Sequence, residues 1–528
     1  MYIAPNGTIK ILHDVPLDNT YQHTLYFASA AAQQSWFNNR VKYTLQNQYY
    51  TRLNRGIIRV AVLADNIYDC NYVMYQNTGF GNKWFYAFIT SVEYINNEVA
   101  EIRFEIDVIQ TWLFEFHLQP CFIERMHTAT DNIGENIAPE GLELGEYLFP
   151  DGITKDDITD DLIIIAAVTD TQSATDGSTY YGGVFSGSTL YAFNPTDEIG
   201  INTFLSSYNT RPDAITSMYV APKNFIVGTV PQGGKKLSSF SDVMAYNFEI
   251  LSSEALTANK TINGYTPHNK KLYTYPYNFF RVFTPTGNKM TMRYEFCDNL
   301  TPSLVFGCTV LLPVQLIARP MNYKGFGTDP GDIQVVLDNY PMCSWAVDTY
   351  TAWAAQNSIP IGLDAMTSIV DLGVGVAMGG IGIPGALTSV LDTTKNILKE
   401  QYAASIAPDM LKGTSCCGNV SVAMREHSFY YGRMCITSEY AKMIDNYFDM
   451  FGYAIKEIKQ PVFKNRTYWT YVKTVGCVLD GSVPADDGNK ICKIHDSGVC
   501  WWDAVNCASN NVNIGNYLVA ANNRPLTP

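Results

Sequence analysis

The sequence predicts a β-rich α+β protein of several domains, and three observations lead there. Aromatic residues make up 13% of the chain, with 35 tyrosines, and such side chains pack well on pleated surfaces. Ile102 to Val108 alternates, with Ile102, Phe104, Ile106 and Val108 facing one way and Arg103, Glu105 and Asp107 the other. That period of two marks a half-buried antiparallel ladder and not a βαβ unit. Finally, an uncharged run from Leu372 to Leu391 interrupts a chain that otherwise reads as soluble and strand-rich. With 528 residues, roughly two to four domains can each bury a core.

The elements follow in order along the chain. A short helix is expected over Ser29 to Asn39, with Trp36 and Phe37 on its apolar side. Gly56 to Ala64 is rich in β-branched residues and predicts a strand. Lys83 to Tyr94 follows with Trp84, Tyr86 and Phe88 on one face, and Asn96-Asn97 then supplies a hairpin turn. From about Arg125 to Pro267 the texture loosens into polar loops, including the acidic Asp151 to Asp161 stretch, with one buried strand at Leu162 to Thr169. Thr284 to Asn288 reads as the turn of a hairpin between Asn278–Phe283 and Met290–Phe296. A helix is expected from Ser344 to Ala355 and a strand from Met424 to Ile436. Ser438 is then expected to cap the strongest helix in the chain. Tyr440, Met443, Ile444, Tyr447, Phe448 and Phe451 recur on one face, and Gly452 closes it. Val472 to Leu518 reads as strands and Asn/Gly/Asp turns.

Composition narrows the function classes. A hydrophobic share of 47% sets aside disordered and fibrous chains. A net charge of −14 argues against a general nucleic-acid binder, whose affinity comes from neutralising phosphates. An acidic wall instead suits a conduit along which DNA slides without sticking. MYIAPNGTIK shows no basic segment leading into an apolar one, so no secretory signal is expected. The 12 cysteines are scattered without a C-x-x-C pair and read as reduced thiols of a protein made in cytoplasm. Cys492, His495, Cys500 and Cys507 fit no common zinc spacing.

The remaining constellations are weak. Gly373-x-Gly375-x-x-x-Gly379 lacks the βαβ setting of a dinucleotide site, and Gly233-Gly234-Lys235-Lys236 lacks the spacing of a P-loop. Asp156, Asp157, Asp160 and Asp161 match no EF-hand pattern and read as a solvated acidic loop. The seven histidines are dispersed, and nothing pairs a nucleophile with a base. The sequence therefore nominates no catalytic residue, no metal site and no cofactor, and an enzyme is not expected.

The apolar run carries the sharpest signal. Its 20 residues are long enough to cross a hydrocarbon core of roughly 30 Å as a helix. Yet Gly373, Gly375, Gly379, Gly380, Gly382 and Gly385 weaken a helix, and Pro384 interrupts it. A buried core helix would carry fewer glycines and more bulk. A permanent transmembrane helix would be a lone span without basic flanks. A conditional membrane-inserting loop accommodates the small residues, because they permit close packing between copies, as from Gly375 to Gly379.

Short collinear matches run along nearly the whole chain. They include Asn82-Lys83-Trp84-Phe85-Tyr86-Ala87-Phe88 and Phe104-Glu105-Ile106-Asp107-Val108-Ile109-Gln110-Thr111-Trp112. Glu140-Gly141-Leu142, Tyr275-Pro276-Tyr277 and the hairpin from Gly287-Asn288-Lys289-Met290 to Tyr294-Glu295 continue the series. Tyr471-Val472-Lys473-Thr474, Ser497-Gly498 with Trp501, and Asn513-Ile514-Gly515-Asn516-Tyr517 complete it. Together they give a chain that resembles the tail knob (distal tail tube) proteins of phi29-like short-tailed bacteriophages. Residues of about 150 to 270 diverge from that pattern.

The resemblance implies a homohexameric tube at the tail tip of the virion, of tail-tube-like antiparallel β-structure. Its neighbours would be the proximal tail tube and tip proteins. It would give transient passage to viral double-stranded DNA, and its hydrophobic loops would leave the lumen to penetrate the lipids of the host cytoplasmic membrane. On this pattern residues 1–125 are an N-terminal tube domain and 126–270 a divergent middle domain. Residues 271–356 with 416–528 are a second tube domain, and 357–415 the loop inserted in it. Within the loop, Leu372, Val374, Val376, Met378, Ile381, Ile383, Leu387, Val390 and Leu391 would meet lipid. Gly373, Gly375, Gly379, Gly380, Gly382, Pro384 and Gly385 would let the segment repack. A cell-wall depolymerase and a receptor-binding knob whose loop is only a plug remain the alternatives.

Overall fold

In the computed structural model the alternating stretches pair into antiparallel sheets. The structure describes residues 6–48, 56–157, 162–168, 179–181, 184–186, 189–194, 196–208, 214–223, 226–237, 261–284, 288–309, 315–321, 323, 342–344 and 428–526. Two compact units emerge. Met1–Gly145, Gly264–Thr274 and Thr437–Pro528 make up one, and Glu146–Asn263 with Tyr275–Ile436 the other.

The first unit holds a six-stranded sheet in the order Val41–Gln48, Gly7–His13, Cys70–Asn77, Trp84–Asn96, Val99–Ile106, Ile57–Val60. Both of its faces are covered. Ile9, Ile11, Tyr75, Ala87, Ile102 and Phe104 share one core cluster. On the other face the helix Ala30–Asn38 brings Phe37 against Tyr72 (5.2 Å between ring centroids) and Tyr86 (4.7 Å). Ser29 caps this helix by accepting from Ala32 N, as its residue type favours.

A five-stranded sheet in the same unit joins distant parts of the sequence, in the order His23–Tyr26, Val499–Asp503, Trp469–Val475, Cys121–Met126, Tyr453–Lys459. Its first pair is parallel. Trp469, Trp501 and Trp502 are among its fully buried side chains.

The second unit has a five-stranded sheet in which Ser428–Ile436 lies between Asn278–Phe283 on one side and Tyr147–Leu148 and Thr154–Asp157 on the other. The hairpin partner Lys289–Met292 completes it. A four-stranded sheet, Ile215–Pro222, Leu162–Val168, Thr189–Phe193 and Lys235–Leu237, packs the helix Glu198–Ser207 through Ile201 and Phe204. A third sheet runs Ser303–Thr309, Gln315–Met321, Met342–Ser344.

Several expectations change. The strand expected over Gly56 to Ala64 is shorter, Ile57–Val60, because Val60 already faces Ala100 at the end of its partner, where the Asn97-Glu98 turn begins. Asp107 leaves the outward face of the ladder: it is buried and caps the helix Val108–Trp112 by accepting from Gln110 N. Thr437, not Ser438, caps the helix Ser438–Phe451, because its backbone is extended and its side chain accepts from Tyr440 N. The region expected as polar loops holds the strands and helix just described. Part of its acidic stretch, Thr154–Asp157, is itself a strand. The tail read as strands and turns contains the helix Ala485–Ser497, which starts after Pro484, places Asp486 and Asp487 in its first turn and ends at Gly498 (φ 93°). Of the helix expected over Ser344 to Ala355, Ser344 ends a strand and the rest lies outside the described residues.

Candidate functional site

The candidate membrane-active residues, Leu372 to Leu391, and the whole inserted segment 357–415 lie outside the described residues. What the structure does describe is the ground on either side. The chain leaves from the strand Met342–Ser344, at the edge of its three-stranded sheet, and returns in Ser428–Ile436, in the interior of the five-stranded sheet. Both strands belong to the second unit.

The returning strand, SFYYGRMCI, is built for anchorage. Phe429, Cys435 and Ile436 are fully buried. Tyr430 stacks on Phe283 at 5.6 Å and Tyr431 meets Phe280 at 5.8 Å. A side chain at Gly432 would meet Gly152 O at 2.8 Å and the Phe149 ring at 3.1 Å, so glycine is what allows the neighbouring segment to approach. Arg433 donates to both carboxylate oxygens of Asp151 (2.6 and 3.2 Å) and to Thr261 O (2.9 Å). Burial works against the charged guanidinium, but Asp151 outweighs it and holds Arg433 above its usual range.

After Ile436 the chain enters the first unit as the helix Ser438–Phe451. Its buried face carries Ala441, Ile444 and Phe448, and also two carboxylates, Asp445 and Asp449. They grip the segment 264–274. Asp445 accepts from Tyr265 Oη (2.7 Å), His268 N (2.7 Å), Asn269 N (3.0 Å) and Asn269 Nδ2 (2.9 Å). Asp449 accepts from Asn269 Nδ2 (2.7 Å) and pairs with His268 Nδ1 (3.0 Å). Burial pushes the Asp449 carboxyl up, while His268 and Asn269 pull it down. Tyr453, just past Gly452, donates to Asp131 (2.7 Å) and Asn269 (3.1 Å). Beside this clasp, buried Glu140 binds both Arg125 and Lys271 and accepts from Ala454 N (2.9 Å). Burial lowers Lys271, and the Glu140 charge opposes that.

The other sequence candidates are dispersed. His495 is a core residue that stacks with Phe463 and Trp501, donates from Nδ1 to Ile491 O (2.8 Å) and is lowered to about 4 by burial. Gly233 and Gly234 form a positive-φ turn closed by Gly233 N donating to Asp197 (2.6 Å). Asp156 and Asp157 pair with Phe429 and Ser428 of the anchoring strand, whereas Asp160 and Asp161 lie outside the described residues. Among the described residues no cluster of His, Cys, Asp and Glu is arranged to hold a metal ion, and no helix is long and apolar enough to cross a membrane. Sequence reasoning missed the Arg433–Asp151 anchor and the Asp445–Asp449 clasp. The readable signal for the clasp was two aspartates four apart on the apolar face of an amphipathic helix, where charge needs a partner.

Comparison with known proteins adds the identity of the scaffold. Residues 5–117 match a family described as the caudoviral major tail protein N-terminus. Residues 242–522 match the family of the C-terminal domain of the Bacillus phage phi29 tail knob protein gp9. The chain is 25% identical to the tail knob protein gp9 of Bacillus phage phi29 and 24% identical to that of Bacillus phage PZA, in each case over 98% of this chain and 99% of the relative. It also shares the fold of the bacteriophage C1 tail knob protein gp12, with a TM-score of 0.56 at 15% identity, covering 98% of this chain and 99% of that one.

Proposed function

The chain belongs to the phi29 tail knob protein family, and we propose that within this structural role in the virion tail it forms a homohexameric distal tube. The tube conducts genomic DNA during ejection. Its inserted segments, residues 357–415, fill the lumen beforehand and leave it to perforate the host cytoplasmic membrane.

The observation that carries this reading is the position of the apolar run. Leu372 to Leu391 falls in sequence between two strands that are each held in a sheet of the same unit. Its glycines suit close packing between copies, first in a lumen and later in lipid. Burial of each side chain such as Ile381, Ile383 and Leu387 contributes roughly 1.5–3 kcal/mol, so exposure of the segment and not its affinity for lipid sets the timing. The net charge of −14 suits a wall along which DNA moves.

Dye release from liposomes tests the proposal. The full-length protein and a deletion of Asn357–Ser415 are compared between mildly acidic and neutral pH. Leakage by the first and not by the second is expected. A full-length protein that releases nothing at any pH, while the deletion assembles normally, would leave the segment as a plug.

A further inference from the structure

Three thiols converge where the strand Trp469–Val475 ends. Cys121 opens the strand Cys121–Met126 and lies opposite Lys459, and its neighbour Phe122 lies opposite Val475, two residues before Cys477. Cys492 sits one helical turn before Asp496 on the helix Ala485–Ser497. Asp496 Oδ1 accepts from Cys477 N (3.1 Å) and from Thr474 Oγ1 (2.7 Å), which fixes that helix against the end of the strand. Cys477 lies close enough to Cys121 and to Cys492 for its sulfur to interact with both. Cys121 is buried, whereas Cys477 and Cys492 are half-buried and open to a small reagent. Two nearby thiols have different neighbours: Cys500 rests against Tyr517, and Cys507 is buried beside Asp503.

We propose that Cys477 and Cys492 are a redox-convertible cross-link, reduced as the chain is made and joined once it meets a low-molecular-weight disulfide. Cys492 is the attacking sulfur, because burial raises it but Cys477 opposes that rise, whereas burial and the neighbouring sulfurs all hold Cys477 protonated. The Cys492 thiolate attacks the small disulfide, forms a mixed disulfide and expels one small thiolate. Cys477 then loses its proton and attacks the Cys492 sulfur, expelling the second. The protein pair gives up two electrons and two protons, and the small disulfide becomes two thiols. Because burial raises both sulfurs, the exchange is slow at neutral pH and accelerates as pH rises. The bond would tie the helix Ala485–Ser497 to the strand it packs on and close a short loop, which constrains the unfolded chain. This inference stands apart from the membrane reading.

Peptide mapping of the full-length protein tests it. After exposure to oxidised glutathione at mildly alkaline pH, alkylation in denaturant and trypsin without reductant, residues 474–490 should be joined to 491–493. Cys500 and Cys507 should be recovered alkylated. The Cys492→Ser variant should leave 474–490 unlinked to any other peptide of the chain. Recovery of Cys477 and Cys492 both alkylated would overturn the proposal. So would a link from 474–490 to the Cys121 peptide in the unsubstituted protein, because it would assign the pair wrongly.

Discussion

Replacing Asp445 with alanine probes the clasp between the helix Ser438–Phe451 and the segment 264–274. Asp445 is fully buried and takes four hydrogen bonds, from Tyr265, the backbone of His268 and two donors of Asn269. Alanine orphans Tyr265 Oη and the His268 and Asn269 N–H groups, whereas Asn269 Nδ2 keeps Asp449 Oδ1 and the backbone carbonyl of residue 445. Hydrogen bonds to a charged group contribute roughly 1.5–3 kcal/mol each, and a buried donor left unpaired costs about 1–3 kcal/mol. Tyr265 and His268 reach solvent on one side, so water recovers part of their loss, and the buried Asn269 N–H with the lost charge-assisted bonds carries most of the penalty. The expected loss is about 3–5 kcal/mol. For a unit of this size it lowers the thermal midpoint by roughly 6–10 °C. Asp445→Asn should fall between, since it keeps one acceptor and turns a donor toward donors. Calorimetry gives the midpoint, and limited proteolysis reports whether 264–274 is released. A midpoint within about 2 °C of the parent, with 264–274 still protected, would refute the reasoning.

Three further predictions follow from the same structure. Gly452 has φ 67°, and a side chain there would collide with the backbone of Met126 and His127, so Gly452→Ala should cost about 2–5 kcal/mol in chemical unfolding. His495 titrates at about 4 in the fold against roughly 6.5 unfolded. The unfolded state therefore binds the proton first, and stability is lost as pH falls from about 6.5 toward about 4. Between pH 7 and 5 this amounts to about 2 kcal/mol, visible as a flatter pH dependence of unfolding in His495→Gln. Arg433→Met should remove the bonds to Asp151 and Thr261, cost about 1–3 kcal/mol and make the chain easier to cleave near residue 151 in timed proteolysis.

What the sequence made legible was local. The hairpin strand Asn278–Phe283 and the helix around Tyr447 and Phe448 could be read because period and caps sit within a few residues of one another. Ile163 and Ile165 announced a buried strand by composition alone. Long-range pairing was not legible: nothing in His23–Tyr26 indicates that it lies beside Val499–Asp503. Short strands such as Thr154–Asp157 read as loop, because an acidic strand is stabilised by its neighbour and not by its own propensity. The helix Ala485–Ser497 was hidden by its internal Gly488 and its many polar residues, although Pro484 before it and Gly498 after it mark both ends. The clasp needed the fold, since Asp445 and Asn269 are 176 residues apart in sequence.

The central claim is that Leu372 to Leu391 enters lipid, and site-specific photo-cross-linking asks this directly. A photoreactive side chain is placed at Ile381 in the full-length protein, and a control probe at Glu98 in the exposed turn of the six-stranded sheet. Under conditions that release dye from liposomes, the probe at Ile381 should capture phospholipid acyl chains and the one at Glu98 should not. Dye release with no lipid captured at Ile381 would contradict the account, because the membrane would then be breached by some other part of the chain.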